Sequence, residues 1–241
     1  LKFFSVYFFL ALFFSKAIAE PTVARSKAVE NVTGDYLTMA LTFNNDGTKM
    51  YTSSMRAGAT GDRLYEYELT TAYNISTATL RTSINVGTYS GSSTNIHGAM
   101  QVVFNNDGTK MFIADHHKTI IEWTLTTPYD IDTASTTYNA GQGYDTNANQ
   151  KRPTSVAFNN DGTKMFTVGE TNDRVYEYDL SSAFDVSSLS YTTDNYYSIS
   201  SQETAPREIK FNHDGTKMYI SGEEGDDINE YTLSSPFDIS S

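Results

Sequence analysis

One phrase recurs four times along this chain, and it constrains the fold more than any other feature. Phe43-Asn-Asn-Asp-Gly-Thr-Lys-Met50-Tyr51 returns as Phe104 to Phe112, as Phe158 to Phe166 and as Phe211 to Tyr219, where His213 replaces the second Asn. A second signature follows each copy: Leu64-Tyr-Glu-Tyr-Glu-Leu69, Ile120-Ile-Glu-Trp-Thr-Leu125, Val175-Tyr-Glu-Tyr-Asp-Leu180 and Ile228-Asn-Glu-Tyr-Thr-Leu233. A third ends each copy, with Tyr73-Asn-Ile, Tyr129-Asp-Ile, Phe184-Asp-Val and Phe237-Asp-Ile. The aspartates Asp46, Asp107, Asp161 and Asp214 lie 61, 54 and 53 residues apart. A repeat of that period means one supersecondary unit stacked on its neighbours, because a single unit cannot bury its apolar face alone.

Each unit reads as four short antiparallel strands, A to D. Strand A ends at the Phe, Asn-Asp-Gly makes a tight turn in which Gly takes the positive φ, and strand B begins at Lys-Met. The turn pairs Asp46-Gly47, Asp107-Gly108, Asp161-Gly162 and Asp214-Gly215 are therefore structural. Strand C alternates cleanly, with Tyr65, Tyr67 and Leu69 on one face and Leu64, Glu66 and Glu68 on the other. Strands A and B carry apolar groups at both parities, as Val156 and Phe158 beside Ala157, so both of their faces are covered. Four-stranded sheets stacked radially satisfy that pattern, and the expected fold is an all-β propeller with four visible repeats, about 37–90, 98–145, 152–200 and 205–241. The hairpin, as in Ser155-Val-Ala-Phe-Asn-Asn-Asp-Gly-Thr-Lys-Met-Phe-Thr-Val-Gly169, resembles that of the WD-repeat-like and YVTN lactonase-type propeller families over residues 37 to 241. The resemblance implies the architecture and leaves function open, since such blades serve lactonases, sugar and peptide binders and scaffolds alike. Rings of that type usually hold six to eight repeats. Leu1 and the end of the chain within the fourth unit point to part of a longer ring, while a four-blade ring closed by residues 20–36 also fits the spacing.

Ahead of the repeats, Lys2 precedes an apolar run from Phe3 to Phe14, and Ala17-Ile-Ala19 offers a small-residue cleavage site. That run is too short to span a bilayer, which takes about 20 residues. Residues 1–19 are expected to be a secretory signal, placing a domain of residues 20–241 outside the cytoplasm or in the periplasm. No later segment is apolar enough to cross a membrane. A net charge of −12 argues against nucleic acid, whose affinity comes from neutralising phosphates. With no cysteine, thiolate metal sites, disulfides and a thiol nucleophile are excluded.

Chemistry is expected at the end of the ring formed by the D–A and B–C loops, which differ from copy to copy. His97, His116, His117, Arg152 and Arg207 are the candidate ligand-binding residues there, the arginines suiting a carboxylate or phosphate. Asp115, His116, Glu223 and Asp226 are candidate metal ligands; no cofactor is required, and calcium or zinc are the ions these side chains suit. The alternative for Arg152 and Arg207 is salt-bridging to loop acids such as Glu170 or Glu223. Tyr138, Tyr144, Tyr191, Tyr196 and Tyr197 stand outside the repeat signatures and are open to glycan stacking. Asn31-Val-Thr33 and Asn74-Ile-Ser76 match the glycosylation sequon. Glu66, Glu122, Glu177 and Glu230, the same residue in all four copies, are unsuited to a single asymmetric active site and are expected to pair with Lys49, Lys110, Lys164 and Lys217. The leading functional expectation is an exported module that binds or scaffolds a protein, peptide or glycan through its variable end. A lactonase-like hydrolase with a polar site at that end is the first alternative, and a purely structural surface repeat protein the second.

Overall fold

A computed structural model describes residues 37–55, 62–86, 98–116, 119–134, 143–146, 152–191, 195–225 and 227–241. The proposed signal and the segment 20–36 lie outside these residues. The chain forms four antiparallel sheets in sequence order, each a blade. Blade 1 is β1 (Leu37–Phe43), β2 (Lys49–Met55), β3 (Arg63–Leu69) and β4 (Ala78–Asn85). Blade 2 is β5 (Ala99–Phe104), β6 (Lys110–Asp115), β7 (Thr119–Thr124) and β8 (Gly143–Asp145). Blade 3 is β9 (Pro153–Phe158), β10 (Lys164–Gly169), β11 (Arg174–Leu180) and β12 (Leu189–Ser190), with β13 (Tyr196–Ser198) also pairing with β11. Strand D of that blade is thus two short pieces on the same partner. Blade 4 is β14 (Pro206–Phe211), β15 (Lys217–Gly222) and β16 (Ile228–Thr232). The first strands β1, β5, β9 and β14 touch in succession and form the innermost layer.

The core is a set of seams between blades. Tyr51, Leu64, Val102 and Met111 fill the first seam, Phe112, Val156, Met165 and Tyr178 the second, and Phe166, Ile209, Met218 and Ile220 the third, all nearly inaccessible to water. Burying each such side chain contributes roughly 1.5–3 kcal/mol. At every seam an aromatic of strand B lies against the strand A Phe of the next blade: Tyr51 on Phe104 at 4.6 Å, Phe112 on Phe158 at 4.5 Å and Phe166 on Phe211 at 4.6 Å. This explains the two-sided apolar pattern of strands A and B.

The repeated Lys and Glu form the joint between blades. Glu122 pairs with Lys110 at 2.6 Å and accepts the Val186 N–H of blade 3 at 2.9 Å, while Lys110 donates to the Phe184 carbonyl at 2.7 Å. Glu66 pairs with Lys49 at 2.7 Å and accepts the Ile131 N–H at 3.0 Å, with Lys49 donating to the Tyr129 carbonyl at 2.9 Å. Glu177 and Lys164 grip Ile239 N–H and the Phe237 carbonyl in the same way, each at 3.2 Å. The gripped turn has a fixed form. Its aromatic residue sits at positive φ (57° for Tyr129, 53° for Phe184 and Phe237), a costly conformation for a bulky residue. The ring lies over the Gly of its own blade's A–B turn, where a Cβ would overlap it, so Gly108, Gly162 and Gly215 serve both their own positive φ and this contact.

In blade 4, Lys217 and Glu230 pair with each other and grip no turn among the described residues, and their side chains are 40% and 46% exposed. Lys110→Met strands the Glu122 carboxylate at a buried seam and is expected to cost about 3 kcal/mol, whereas Lys217→Met costs less than about 1 kcal/mol. Urea unfolding of the two variants checks this; equal losses would remove the joint from the account of stability.

Candidate functional site

At the end opposite the A–B turns, one structural position is filled by His in blade 2 and by Glu in blades 3 and 4. His116, Glu170 and Glu223 are the first residues after β6, β10 and β15, and each donates its backbone N–H to the chain entering strand A, at Gly98, Arg152 and Ala205 respectively. Two arginines come from that entering chain. Arg152 stands just before β9 with φ 62°, preceding Pro153. Arg207 occupies a β-bulge of β14, the extra residue between the pairs Pro206 with Gly222 and Glu208 with Ser221. A bulge at the start of strand A occurs in all four blades, and such irregularities re-aim a side chain out of the ladder.

These residues converge on Glu170. Its Oε2 takes His116 Nε2 at 3.2 Å and Arg152 Nη1 at 3.1 Å, and its Oε1 takes Arg207 Nη1. Arg207 reaches on through Nη2 to Glu223 Oε2 at 2.7 Å. Blades 2, 3 and 4 each contribute to this cluster, so only the tertiary fold assembles it. Glu170 is 19% exposed, His116 20%, Arg207 29% and Arg152 58%, which makes Arg152 the most open of the side chains that touch Glu170. Burial pushes the Glu170 carboxyl up, but hydrogen bonds from Arg207 and His116 outweigh it and hold the group below the usual carboxylate range. Burial likewise opposes the charge of Arg207, yet its bonds to Glu223 and Glu170 bind its proton more firmly than usual. The buried Arg207 Nε has no acceptor among the described residues. Glu203, nearly inaccessible to water, ties the two flanking loops by accepting the N–H groups of Ala205 at 2.6 Å and Glu224 at 3.4 Å.

Of the residues singled out from sequence, His116, Arg152, Arg207 and Glu223 meet here. His97, His117 and Asp226 lie outside the described residues. Asp115 is buried on β6, one residue from His116. Among the described residues no group of three or more His, Asp or Glu stands close enough to hold a metal ion. The turn aspartates lie at the other end and are spent on their own turns, as where Asp107 Oδ1 accepts the Thr109 N–H at 3.0 Å and the Thr109 hydroxyl at 2.6 Å. Tyr191 packs on Tyr178, Tyr196 lies under the Arg174 guanidinium at 3.8 Å, and Tyr197 stands edge-on to Tyr231. Tyr138 lies outside the described residues, and of Tyr144 only the backbone, in β8, is described.

A family model described as a seven-bladed β-propeller lactonase matches residues 16–237. The chain belongs to the seven-bladed lactonase propeller family. Its solved structural neighbours include the periplasmic gluconolactonase of Pseudomonas aeruginosa, at 14% identity and a TM-score of 0.56, over 87% of this chain and 56% of that one. A putative 6-phosphogluconolactonase of Bacteroides uniformis ATCC 8492 aligns at 15% identity and a TM-score of 0.54, over 82% of this chain and 54% of that one. A search of curated protein sequences found no match. These likenesses establish the propeller fold, and the chain spans about half the length of the neighbours it matches.

The family match corrects the leading functional expectation. A binding or scaffolding module is displaced by the lactonase-like alternative. Hydrolysis does not require a metal centre here, because opening a lactone needs only a positioned base and donors for the developing oxyanion. Glu170 was weighed only as a salt-bridge acceptor. Its signal was its position, one repeat after His116 and one before Glu223.

Because the folded Glu170 carboxyl is depressed, its ionic contribution to stability is present above the ordinary carboxylate pKa and fades as pH falls through the folded value. The melting temperature of the native chain should exceed that of Glu170→Gln at pH 7, and the gap should shrink as the pH drops below about 4. A gap that held constant into strong acid would contradict the assignment.

Proposed function

We propose that this chain carries the hydrolytic site of a lactonase acting on a sugar lactone, with His116, Glu170, Arg152 and Arg207 as its working residues. The observation that carries the reading is the convergence of His116, Arg152 and Arg207 from three blades on the single Glu170 carboxylate, in a member of a family described as lactonases. Glu170, kept ionised by its partners, is a weak base and an effective anchor. Holding His116 through Nε2 favours the tautomer with the proton on that nitrogen and leaves Nδ1 to accept one.

In this reading His116 Nδ1 takes a proton from water as the oxygen attacks the lactone carbonyl carbon. The carbonyl π electrons move to its oxygen, and Arg152 compensates the oxyanion. Collapse of the tetrahedral intermediate breaks the bond from that carbon to the ring oxygen, which takes the proton back from the imidazolium. The product is the open hydroxy acid, whose carboxylate a guanidinium suits. Arg207 is a positioning residue, spanning Glu170 and Glu223. Export by a leader at residues 1–19 belongs to the same proposal, supported by the apolar run from Phe3 to Phe14 and the small residues ending at Ala19.

Ring opening of glucono-δ-lactone, followed by acid release in a pH-stat, tests the proposal. The native chain should exceed the spontaneous rate, and His116→Gln should lower kcat by about 10²–10⁴-fold. Glu170→Gln should shift the pH profile of kcat as well as its height. No rate above background for the native chain, or an active His116→Gln, would overturn the reading.

A further inference from the structure

Arg207 is held in place more thoroughly than a loop arginine needs to be. The bulge that carries it has side-chain hydrogen bonds on both flanks. Ahead of it, the Ala205 N–H goes to Glu203 Oε1 at 2.6 Å, and the Pro206 carbonyl accepts the Thr154 hydroxyl of blade 3 at 2.9 Å. Beyond it, the Ile209 N–H goes to the Ser155 hydroxyl, also of blade 3, at 3.1 Å. Thr154, Ser155 and Glu203 are all buried. The first two belong to β9, whose contact with β14 is part of the innermost layer. Glu203 is different, because it comes from the connection between β13 and β14 and its carboxylate packs against β15.

The same Glu203 oxygen also takes the Glu224 N–H at 3.4 Å. One atom thus joins the chain two residues before Arg207 to the chain one residue after Glu223, and those are the two side chains that pair at 2.7 Å. The other carboxylate oxygen, Oε2, has no donor among the described residues and rests on Gly222, the last residue of β15. A Cβ at Gly222 would overlap the Glu203 carboxyl group, so glycine is what leaves this space. At the matching register of blade 2, where strand A likewise pairs just ahead of its bulge, strand B carries Asp115, itself buried. Blades 2 and 4 therefore both bury a carboxylate beside the residue that enters the cluster, His116 in one and Glu223 in the other. A buried carboxylate with one oxygen lacking a donor costs stability. Stability alone does not account for such a group, whereas the fixing of two loops against each other does.

We infer that Glu203 is a positioning residue of the Glu170 cluster: it holds Arg207 and Glu223 where Arg207 can span Glu170 and Glu223, and Gly222 admits its carboxylate. The holding is independent of the chemistry; its effect on turnover rests on the hydrolytic reading, and Glu203 acts on the reaction only through Arg207. Both N–H groups share one oxygen, so the amide oxygen of a glutamine can take them both, whereas alanine takes neither. Glu203→Gln is therefore the conservative variant and Glu203→Ala the disruptive one. Gly222→Ala displaces the carboxylate while leaving it in the chain.

Two readouts on the full chain test the inference, with an unchanged far-ultraviolet spectrum showing that each variant folds. The first needs no catalysis. The buried Arg207 Nε–H is followed by heteronuclear NMR, its signal recognised by its loss in Arg207→Lys. Its exchange with water should quicken about tenfold or more in Glu203→Ala and Gly222→Ala, and stay within about threefold of native in Glu203→Gln. The second readout is turnover of glucono-δ-lactone. Glu203→Ala should lower kcat by about 10–100-fold with little change in KM, because a misplaced positioning group costs rate more than affinity. Glu203→Gln should recover most of that loss, and in an Arg207→Gln background Glu203→Ala should cost nothing further. Unchanged Arg207 exchange in both disruptive variants would overturn the inference. So would a glutamine variant as impaired as the alanine one, or an equal further loss in the Arg207→Gln background. A native chain without lactone turnover would overturn the hydrolytic reading instead, and the exchange rates would still decide whether Glu203 holds Arg207.

Discussion

Everything in this molecule depends on the grip of a lysine–glutamate pair on the turn of the following blade. A four-stranded sheet has two faces and no reason of its own to meet a neighbour at one angle. The aromatic contacts between strand B and the next strand A supply most of the buried area, but apolar packing is non-directional. The Glu carboxylate sets the register, because it must satisfy both its own lysine and one particular backbone N–H across the seam. Glu66, Glu122 and Glu177 are nearly inaccessible to water. A carboxylate buried so deeply is strongly unfavourable unless fully engaged, which makes a slipped seam costly.

The gripped turn is built to be gripped. Its aromatic residue adopts positive φ, and the strain is offset by the ring lying flat on a glycine of its own blade, a place no other residue leaves open. The Asn-Asp-Gly-Thr hairpin therefore does two tasks: it reverses strands A and B, and it forms the bed on which the C–D turn is held for the next blade. That coupling explains why two segments 21 to 26 residues apart in each unit are held to the same pattern in all four copies.

The opposite end of the blades follows other rules. There the first residue after strand B is exempt from the joint, and it reads His, Glu and Glu in blades 2, 3 and 4. A near-symmetric scaffold places these three side chains at equivalent points, and the bulge at the head of strand A turns Arg207 toward them. The asymmetry that chemistry needs comes from sequence change at one repeated position, with the scaffold left alone.

Periodicity alone determined a great deal about this protein. The four copies of Phe-Asn-x-Asp-Gly-Thr-Lys-Met, the clean alternation of strand C and the two-sided apolar pattern of strands A and B were enough to specify stacked four-stranded blades. The recurrence of one Glu and one Lys was enough to pair them, since long side chains on the same face of adjacent strands, one diagonal step apart, lie within reach. What a repeat cannot disclose is contact between copies at positions where the copies differ. That Val186 N–H closes on Glu122, and that His116, Arg152 and Arg207 all reach Glu170, depends on the angle between blades and on a bulge, neither of which leaves a local signature. Glu170 read on its own is a loop acid. It becomes the centre of a site only when two seams and the entry to its own blade bring side chains 18 to 54 residues away in the chain within hydrogen-bonding distance.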